Sequence, residues 1–430
     1  MENQNFEKPE SFFQTTTAKM IMVGLLTIVL LLPLSLVQDL IVERNQRQKE
    51  VVAETTSKWG ESVYFYGPIL KIPYKDPVTL QIENAYFFPE TLNNVSTTEI
   101  KTPLQRSIYK SNVFSTKMQY NGNYTNPNFS KKNVPNENII WDKASIVIRT
   151  TNLRSLKDEV KIKIGDNNYT FEPIHNTQVN DSIESLETGY INFNALQNLN
   201  FNVTLNYNGS KRISIAPIGK TTHAKMTSNW ASPNFNGSFI PNDKQITDKG
   251  FEATWKISHF NRPFAQENFE VLPDVSKYAF AVDFITPVDE YQQNERASKY
   301  GFLVIGLTFL IFFLIQSISK ISIHIFQYVM IGIALIMFYT LLISITEHSS
   351  FGFAYAIAGT SVVALISLYS ISILKDRKFP TFIGLSLSIL YTFIFVIIQL
   401  EEYALLVGSI GLFLILAAVM YFSRKIEWTK

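Results

Sequence analysis

The sequence predicts an integral membrane protein, an all-α bundle of six transmembrane helices joined to a large, β-rich, antiparallel domain on the exported side. Three observations carry that expectation. The chain has six long apolar stretches, about 260 mostly polar residues separate the first from the second, and Lys and Arg gather in the short links of one side only.

The first stretch, Met20 to Val37, holds 18 residues without a charge. At about 1.5 Å per residue it reaches roughly 27 Å, close to the hydrocarbon thickness of a bilayer. It reads as an uncleaved anchor, because Ser35-Leu36-Val37-Gln38-Asp39 lacks the small-x-small pattern of a cleaved signal peptide. The other five run from Tyr300 to Ile318, Phe326 to Ile345, Phe351 to Leu374, Pro380 to Gln399 and Tyr403 to Phe422. An even number of spans places both termini on one side.

Positive charge in short loops opposes translocation, whereas long domains cross largely regardless of charge. With the termini inside, the short cytoplasmic pieces carry nine positive residues: Lys8, Lys19, Lys320, Lys375, Arg377, Lys378, Arg424, Lys425 and Lys430. The links facing the other way, 346–350 and 400–402, carry none. The expected organisation is a cytoplasmic segment 1–19, a span 20–37, an exported domain 38–299, a five-helix bundle 300–422 and a cytoplasmic tail 423–430.

The exported domain opens with a charged segment, Glu43 to Lys58, in which Val51, Thr55 and Trp59 fall on one helical face and Glu43 and Arg47 have ion-pair spacing. It extends the first helix and stops at Gly60. The period then changes to that of strands. Phe251, Ala253, Trp255, Ile257 and His259 alternate with polar residues, as do Phe201, Val203, Leu205 and Tyr207, and Ala144, Ile146 and Ile148. Asn121-Gly122, Asn208-Gly209 and Asn236-Gly237 are expected as hairpin turns. Sandwich and barrel both remain open at this point.

Several local strings resemble those of the CreD family of bacterial inner-membrane proteins. They are Trp59-Gly60 with Tyr66-Gly67-Pro68-Ile69-Leu70 and Ile72-Pro73-Tyr74, Pro217 to Thr222, and Gly250-Phe251 with Trp255 and His259. The membrane half adds Pro287-Val288-Asp289 with Tyr291, Arg296-Ala297 with Lys299-Tyr300, His324 with Gln327-Tyr328, Ser344 with Glu347-His348, and Glu402 to Leu406. The resemblance spans about Glu43 to Trp428, and the Asn-rich region 121–138 looks peculiar to this chain. It implies an inner-membrane location, a periplasmic exported domain, and a role in envelope integrity, stress response and colicin tolerance under a two-component system. It implies no defined reaction.

The chemistry of the residues points the same way. A formal charge of +2, evenly spread, does not suit nucleic-acid binding. No cysteine is present, so neither disulfides nor a thiol nucleophile can occur. Gly219-Lys220-Thr221 ends like a phosphate-binding loop, but Ser214 stands where the first glycine belongs. No Gly-x-Ser-x-Gly elbow is present, and His175, His223, His259, His324 and His348 form no i, i+3 or i, i+4 pair. No enzyme activity, cofactor or metal is expected. The spans carry no Asp, Glu, Lys or Arg in their interiors, which argues against coupled ion transport, although a lipid-like substrate escapes that argument. Ala354 and Ala358, and Gly352, Ala356 and Thr360, read as helix-packing stripes.

One polar constellation stands out. The topology brings Glu347, His348, Glu401, Glu402, Asp289 and Arg296 to one outer surface, together with Glu295 and Lys299. This candidate interaction cluster suits a cation, a relayed proton, or the docking of a basic headgroup or partner segment. The expected function is a non-catalytic binding or scaffolding role in envelope integrity, with the lipid bilayer and another envelope protein, or a lipid or cell-wall precursor, as partners. The alternative is a transporter or flippase accessory for a lipid or envelope precursor.

Overall fold

The computed structural model describes residues 16–101, 104–106, 109–151, 153–174, 183–284, 290–319, 321–374, 378–400 and 403–424. They form two compact units, one of residues 1–49 with 288–430 and one of residues 50–287. The division falls past the expected membrane boundaries at 37 and 299, because the charged continuation of the first helix and a short amphipathic helix before the second span both belong to the helical unit.

That unit contains α1 (Thr16–Trp59, of which 16–49 lie here), α2 (Glu290–Lys299), α3 (Gly301–Ser319), α4 (Ile325–Thr346), α5 (Phe351–Ile373), α6 (Lys378–Gln399) and α7 (Ala404–Ser423). All except α2 are long and apolar enough to cross a membrane, six among the described residues. Leu26, Leu30 and Leu34 of α1 belong to one apolar core with Ile305 and Phe309 of α3, Leu335 and Phe338 of α4, Tyr355 of α5 and Tyr391 of α6. Glycine permits the closest approaches. A Cβ at Gly332 would come within 2.2 Å of Leu30, and one at Gly301 within 2.8 Å of Leu34.

Several buried polar groups in this unit find partners within it. The Tyr355 hydroxyl donates to the Tyr391 carbonyl at 2.8 Å, and that of Tyr328 to Gln316 Oε1 at 3.1 Å. His324 caps α4: the Phe326 N–H donates to its Nδ1, and its own N–H donates to Gln327 Oε1. Two orphan donors are satisfied reciprocally, which explains why His324 and Gln327 stand three apart. Of the small-residue stripes, Ala354 and Ala358 are buried as expected. Ala356 and Thr360 are exposed, and nothing lies within 4 Å of where a Gly352 side chain would begin.

The second unit is a sheet of sixteen strands among the described residues. Its longest ladders run along Val113–Asn123, which pairs antiparallel with Thr91–Ile100 on one side and Asn200–Ser210 on the other. Pairing is antiparallel except between Val63–Lys75 and Arg212–Ile215 and between Thr221–Ser228 and Thr91–Ile100. The path folds over into two layers around one apolar core. Phe65 stacks on Tyr120 with centroids 4.1 Å apart, Trp255 on Phe280 at 4.8 Å, and the Tyr207 hydroxyl donates to Thr150 at 2.9 Å. The three alternating runs bury their apolar faces as expected, while His259 leaves the strand for a short 3₁₀ turn. Gly67-Pro68 lies in a bulge, the register shifting between Tyr66 and Ile69.

The Asn-Gly dipeptides are a correction. Asn121-Gly122 and Asn208-Gly209 lie inside strands rather than at turns, while Asn236-Gly237 closes the strand Asn234–Gly237 with Gly237 at a φ of +89°. Their glycines serve close packing: a Cβ at Gly122 would sit 2.0 Å from the Thr91 carbonyl oxygen, and one at Gly209 2.5 Å from the Phe114 ring. Local turn propensity yields where two ladders need a residue without a side chain.

Candidate functional site

The site is built on one stripe of α1. Leu34, Gln38, Ile41, Asn45 and Gln48 follow one another at alternating spacings of four and three, so they share a helical face. Leu34 lies against Gly301, and Gln38 Nε2 donates to the Ser298 carbonyl at 2.9 Å. These two contacts run in opposite directions along the chain, so α1 is antiparallel to the segment formed by α2 and α3. Asn294, one turn before Ser298, is thereby brought to within about one turn of the level of Asn45. One residue before Asn45, Arg44 reaches across to the end of α4, where its Nη1 lies 3.7 Å from Glu347 Oε1.

The result is a polar cap over one end of an apolar bundle. Asn45 is 6% exposed and Asn294 fully buried, with Gln293, Ser298 and Thr346 also buried. Some of its groups are satisfied internally, since Asn294 Nδ2 donates to the Glu290 carbonyl and Thr346 Oγ1 to that of Leu342. Four oxygens are not. Asn45 Oδ1, Gln48 Oε1, Asn294 Oδ1 and Glu347 Oε1 are shielded from solvent and accept no hydrogen bond from the described residues. Each such acceptor costs about 1–3 kcal/mol if it stays unpaired. All four want a donor. A metal ion suits them poorly, because Arg44 already brings a positive charge to the only carboxylate among them. Among the described residues no three His, Cys, Asp or Glu side chains are grouped to hold a metal. What the cap accommodates chemically is water or an N–H- or O–H-bearing group.

Of the six residues singled out in sequence, Glu347, His348 and Arg296 are described, whereas Glu401, Glu402 and Asp289 lie outside the described residues. Glu347 ends α4, its N–H donating to Ile343 at 3.1 Å. His348 stands beside it and is exposed. Arg296 is exposed too, and its Nη1 reaches the Ile398 carbonyl at 3.5 Å, in the last turn of α6, where a helix leaves its carbonyls unpaired and favours a cation. Glu295 and Lys299 pair with each other at 2.9 Å. Sequence reasoning missed Arg44, Asn45, Gln48 and Asn294. The signal was there in the four-three stripe of α1, which carries amides where Leu34 and Ile41 predict apolar residues.

Trp255 of the alternating run is a core residue: it is 2% exposed and its Nε1 donates to the Phe239 carbonyl at 3.2 Å. Lys220 of the incomplete phosphate-loop motif sits in the connection between two strands and pairs with Glu90 at 2.7 Å.

Six membrane-length helices, an inserted two-layer β unit and a polar cap at one end of the bundle define a polytopic membrane protein with one large extramembrane domain. The sequence profile described as Inner membrane protein CreD matches residues 15–429, so the chain belongs to the CreD family and is an inner-membrane protein. It is similar to the Inner membrane protein CreD of Escherichia coli (strain K12), with 28% identity over 421 residues that cover 93% of this chain and 91% of the relative. Two of the solved structures to which the chain is similar are these. One is a Legionella pneumophila protein described as nutrient binding, at 10% identity and a TM-score of 0.25, covering 57% of this chain and 80% of that one. The other is an M1 zinc metallopeptidase from Deinococcus radiodurans, at 8% identity and a TM-score of 0.20, covering 80% and 95%. At these scores neither carries an argument about fold or activity.

Proposed function

We propose that this protein supports the integrity of the cell envelope by binding, without turnover, and that its polar cap docks a basic, donor-bearing segment of another envelope protein. The observation that carries the reading is the set of four shielded acceptor oxygens at one end of the bundle, one of which, that of Glu347, faces a cation, Arg44, among the described residues. The distribution of Lys and Arg supports cytoplasmic termini and a periplasmic residue range of 38–299, with the cap on the periplasmic side. The absence of cysteine makes that orientation directly testable. Of the single variants Ser349→Cys and Ser423→Cys, only the first should react with a membrane-impermeant maleimide in intact spheroplasts.

The test of the docking reading is crosslinking in native membranes followed by co-purification, comparing the native chain with a variant in which Glu347, His348 and Glu402 are all replaced by alanine. A stoichiometric protein partner lost in the variant, together with loss of detergent tolerance and normal insertion, is the expected result. Native partner recovery and tolerance in the variant would overturn it. An enriched lipid without a protein partner would favour the second reading, an accessory to lipid or precursor transport, for which a large apolar crevice inside the bundle speaks.

A further inference from the structure

The crevice lies between α3, α6 and α7 and has a volume of about 900 Å³. It exists because α7 is loosely attached: none of its residues is buried. It meets α6 at a few points. Phe393 presses on Gly411, where a Cβ would fall 2.0 Å from the ring, Ile397 approaches Gly408, and the rings of Phe382 and Phe422 come within 6.5 Å. Beside these contacts, Ile311 and Ile318 of α3, Phe382 and Ile389 of α6, and Leu414 and Ala418 of α7 line the space. An apolar void of this size inside a bilayer neither holds water nor stays empty, since its walls would forfeit their dispersion contacts. Along α7 it extends from Val407 to Phe422, roughly 22 Å at 1.5 Å per residue, which exceeds the roughly 15 Å depth of one leaflet.

Its mouth is basic among the described residues, where the single ionisable residue lining it is Lys378, in the first turn of α6. At the same end, two residues past Phe422, Arg424 lies over the Tyr421 ring at 4.4 Å. The sequence adds Lys375, Arg377 and Lys425 against Asp376 and Glu427. We propose that the crevice is a binding site for an anionic phospholipid of the leaflet that meets the N-terminus of α6. Its acyl chains fill the space between α3, α6 and α7, and its phosphate headgroup lies against Lys378 and Arg424. This site is separate from the polar cap, which the topology puts at the opposite end of the bundle, and does not depend on the docking reading.

The cysteine-free full chain provides the test. Two single variants, Ala418→Cys inside the crevice and Ile357→Cys at an exposed position of α5, are each labelled with a small fluorophore in vesicles of phosphatidylcholine. Phosphatidylglycerol or phosphatidylcholine with brominated acyl chains is then titrated in. For the label at position 418 quenching should prefer phosphatidylglycerol by about tenfold or more, in keeping with roughly fivefold per nearby basic residue, and for the label at position 357 it should show no preference. Lys378→Gln with Arg424→Gln should abolish the preference at position 418 while leaving quenching by either lipid intact. Equal selectivity at the two labelled positions, or a preference that survives loss of both cations, would overturn the proposal. So would the absence of quenching at position 418 by either lipid, since the crevice would then hold no acyl chain.

Discussion

Arg44 of α1 and Glu347 at the end of α4, far apart in the sequence, approach to 3.7 Å between Nη1 and Oε1 and tie the polar continuation of the first span to the third. Arg44 is half exposed and Glu347 largely covered, so the pair is asymmetric: removing the cation strands a shielded carboxylate, while removing the carboxylate frees an arginine that water can solvate. Arg44→Ala should therefore destabilise the detergent-solubilised protein by about 1–3 kcal/mol, and Glu347→Gln by less than about 1 kcal/mol. A thermal-unfolding series with the double variant checks this. Equal losses from the two single variants would refute the asymmetry.

A second ion pair sets an acid limit on the β unit. Hydrogen bonds from Arg106 and Lys58 hold the Glu54 carboxyl at about 2, well below its usual 4.5. A depressed carboxylate contributes stability that is present above the unfolded value and lost as pH falls towards the folded one. The native protein should thus lose this contribution between about pH 4.5 and pH 2. Arg106→Ala should flatten the stability profile across that window and leave the slope above about pH 5 unchanged. Because the group is exposed, salt should weaken the effect, and circular dichroism at low and high ionic strength measures both.

Arg262 supports a different kind of prediction, since it is buried and its hydrogen bonds go to carbonyls and an amide rather than to a carboxylate. Its Nη1 donates to the Phe264 carbonyl at 2.8 Å, its Nη2 to those of Ile218 and Gly219 at 3.0 and 3.1 Å and to the Gln266 side chain, and its guanidinium carbon lies 4.1 Å from the centre of the Phe264 ring. Burial lowers its pKa to about 10, so it remains charged at neutral pH. Arg262→Met should keep much of the volume, strand these carbonyls and cost upwards of about 3 kcal/mol. Protease resistance of the β unit is the readout, and a loss below about 1 kcal/mol would show that the carbonyls find other donors.

Gly122 should tolerate no side chain. The Thr91 carbonyl oxygen would stand 2.0 Å from an added Cβ, and a backbone atom fixed in a ladder cannot step aside as a flexible side chain can. Gly122→Ala should cost about 1–3 kcal/mol through overpacking, whereas Gly189→Ala, with nothing within 4 Å, should stay within about 0.5 kcal/mol. Denaturant titration of the two variants side by side tests the contrast.

The spans, the place of the inserted domain and its strand character were legible in the chain because each depends on a property that is local in sequence. Apolar length sets a span, and a two-residue period sets a half-buried strand. The run from Phe251 to Ile257 buries as its alternation predicts, and α1 ends at Trp59, where Gly60 takes a φ of +148° beneath the Asn208 carbonyl. The same local reasoning failed at Asn121-Gly122. Turn propensity is weak beside the packing of three adjacent strands, and no window around residue 121 contains Thr91 or Phe201.

The candidate site divides in the same way. Glu347, His348 and Arg296 could be named from sequence because charged residues at the ends of apolar runs must lie at a membrane surface. The partnership of Glu347 with Arg44 and the shielding of Asn45 and Asn294 could not. They arise when α1 and α2 pack antiparallel, and the register of that packing is fixed by Leu34 on Gly301 and Gln38 on Ser298. The crevice beside α7 is likewise a product of tertiary structure, since by composition α7 is an ordinary span. The sequence by itself determined that this chain enters a membrane six times and carries a β domain outside it, because transfer into lipid is decided segment by segment. Only the tertiary structure decided which polar atoms are left without partners and which apolar space is left unfilled, because both are set by how separate helices fit against one another.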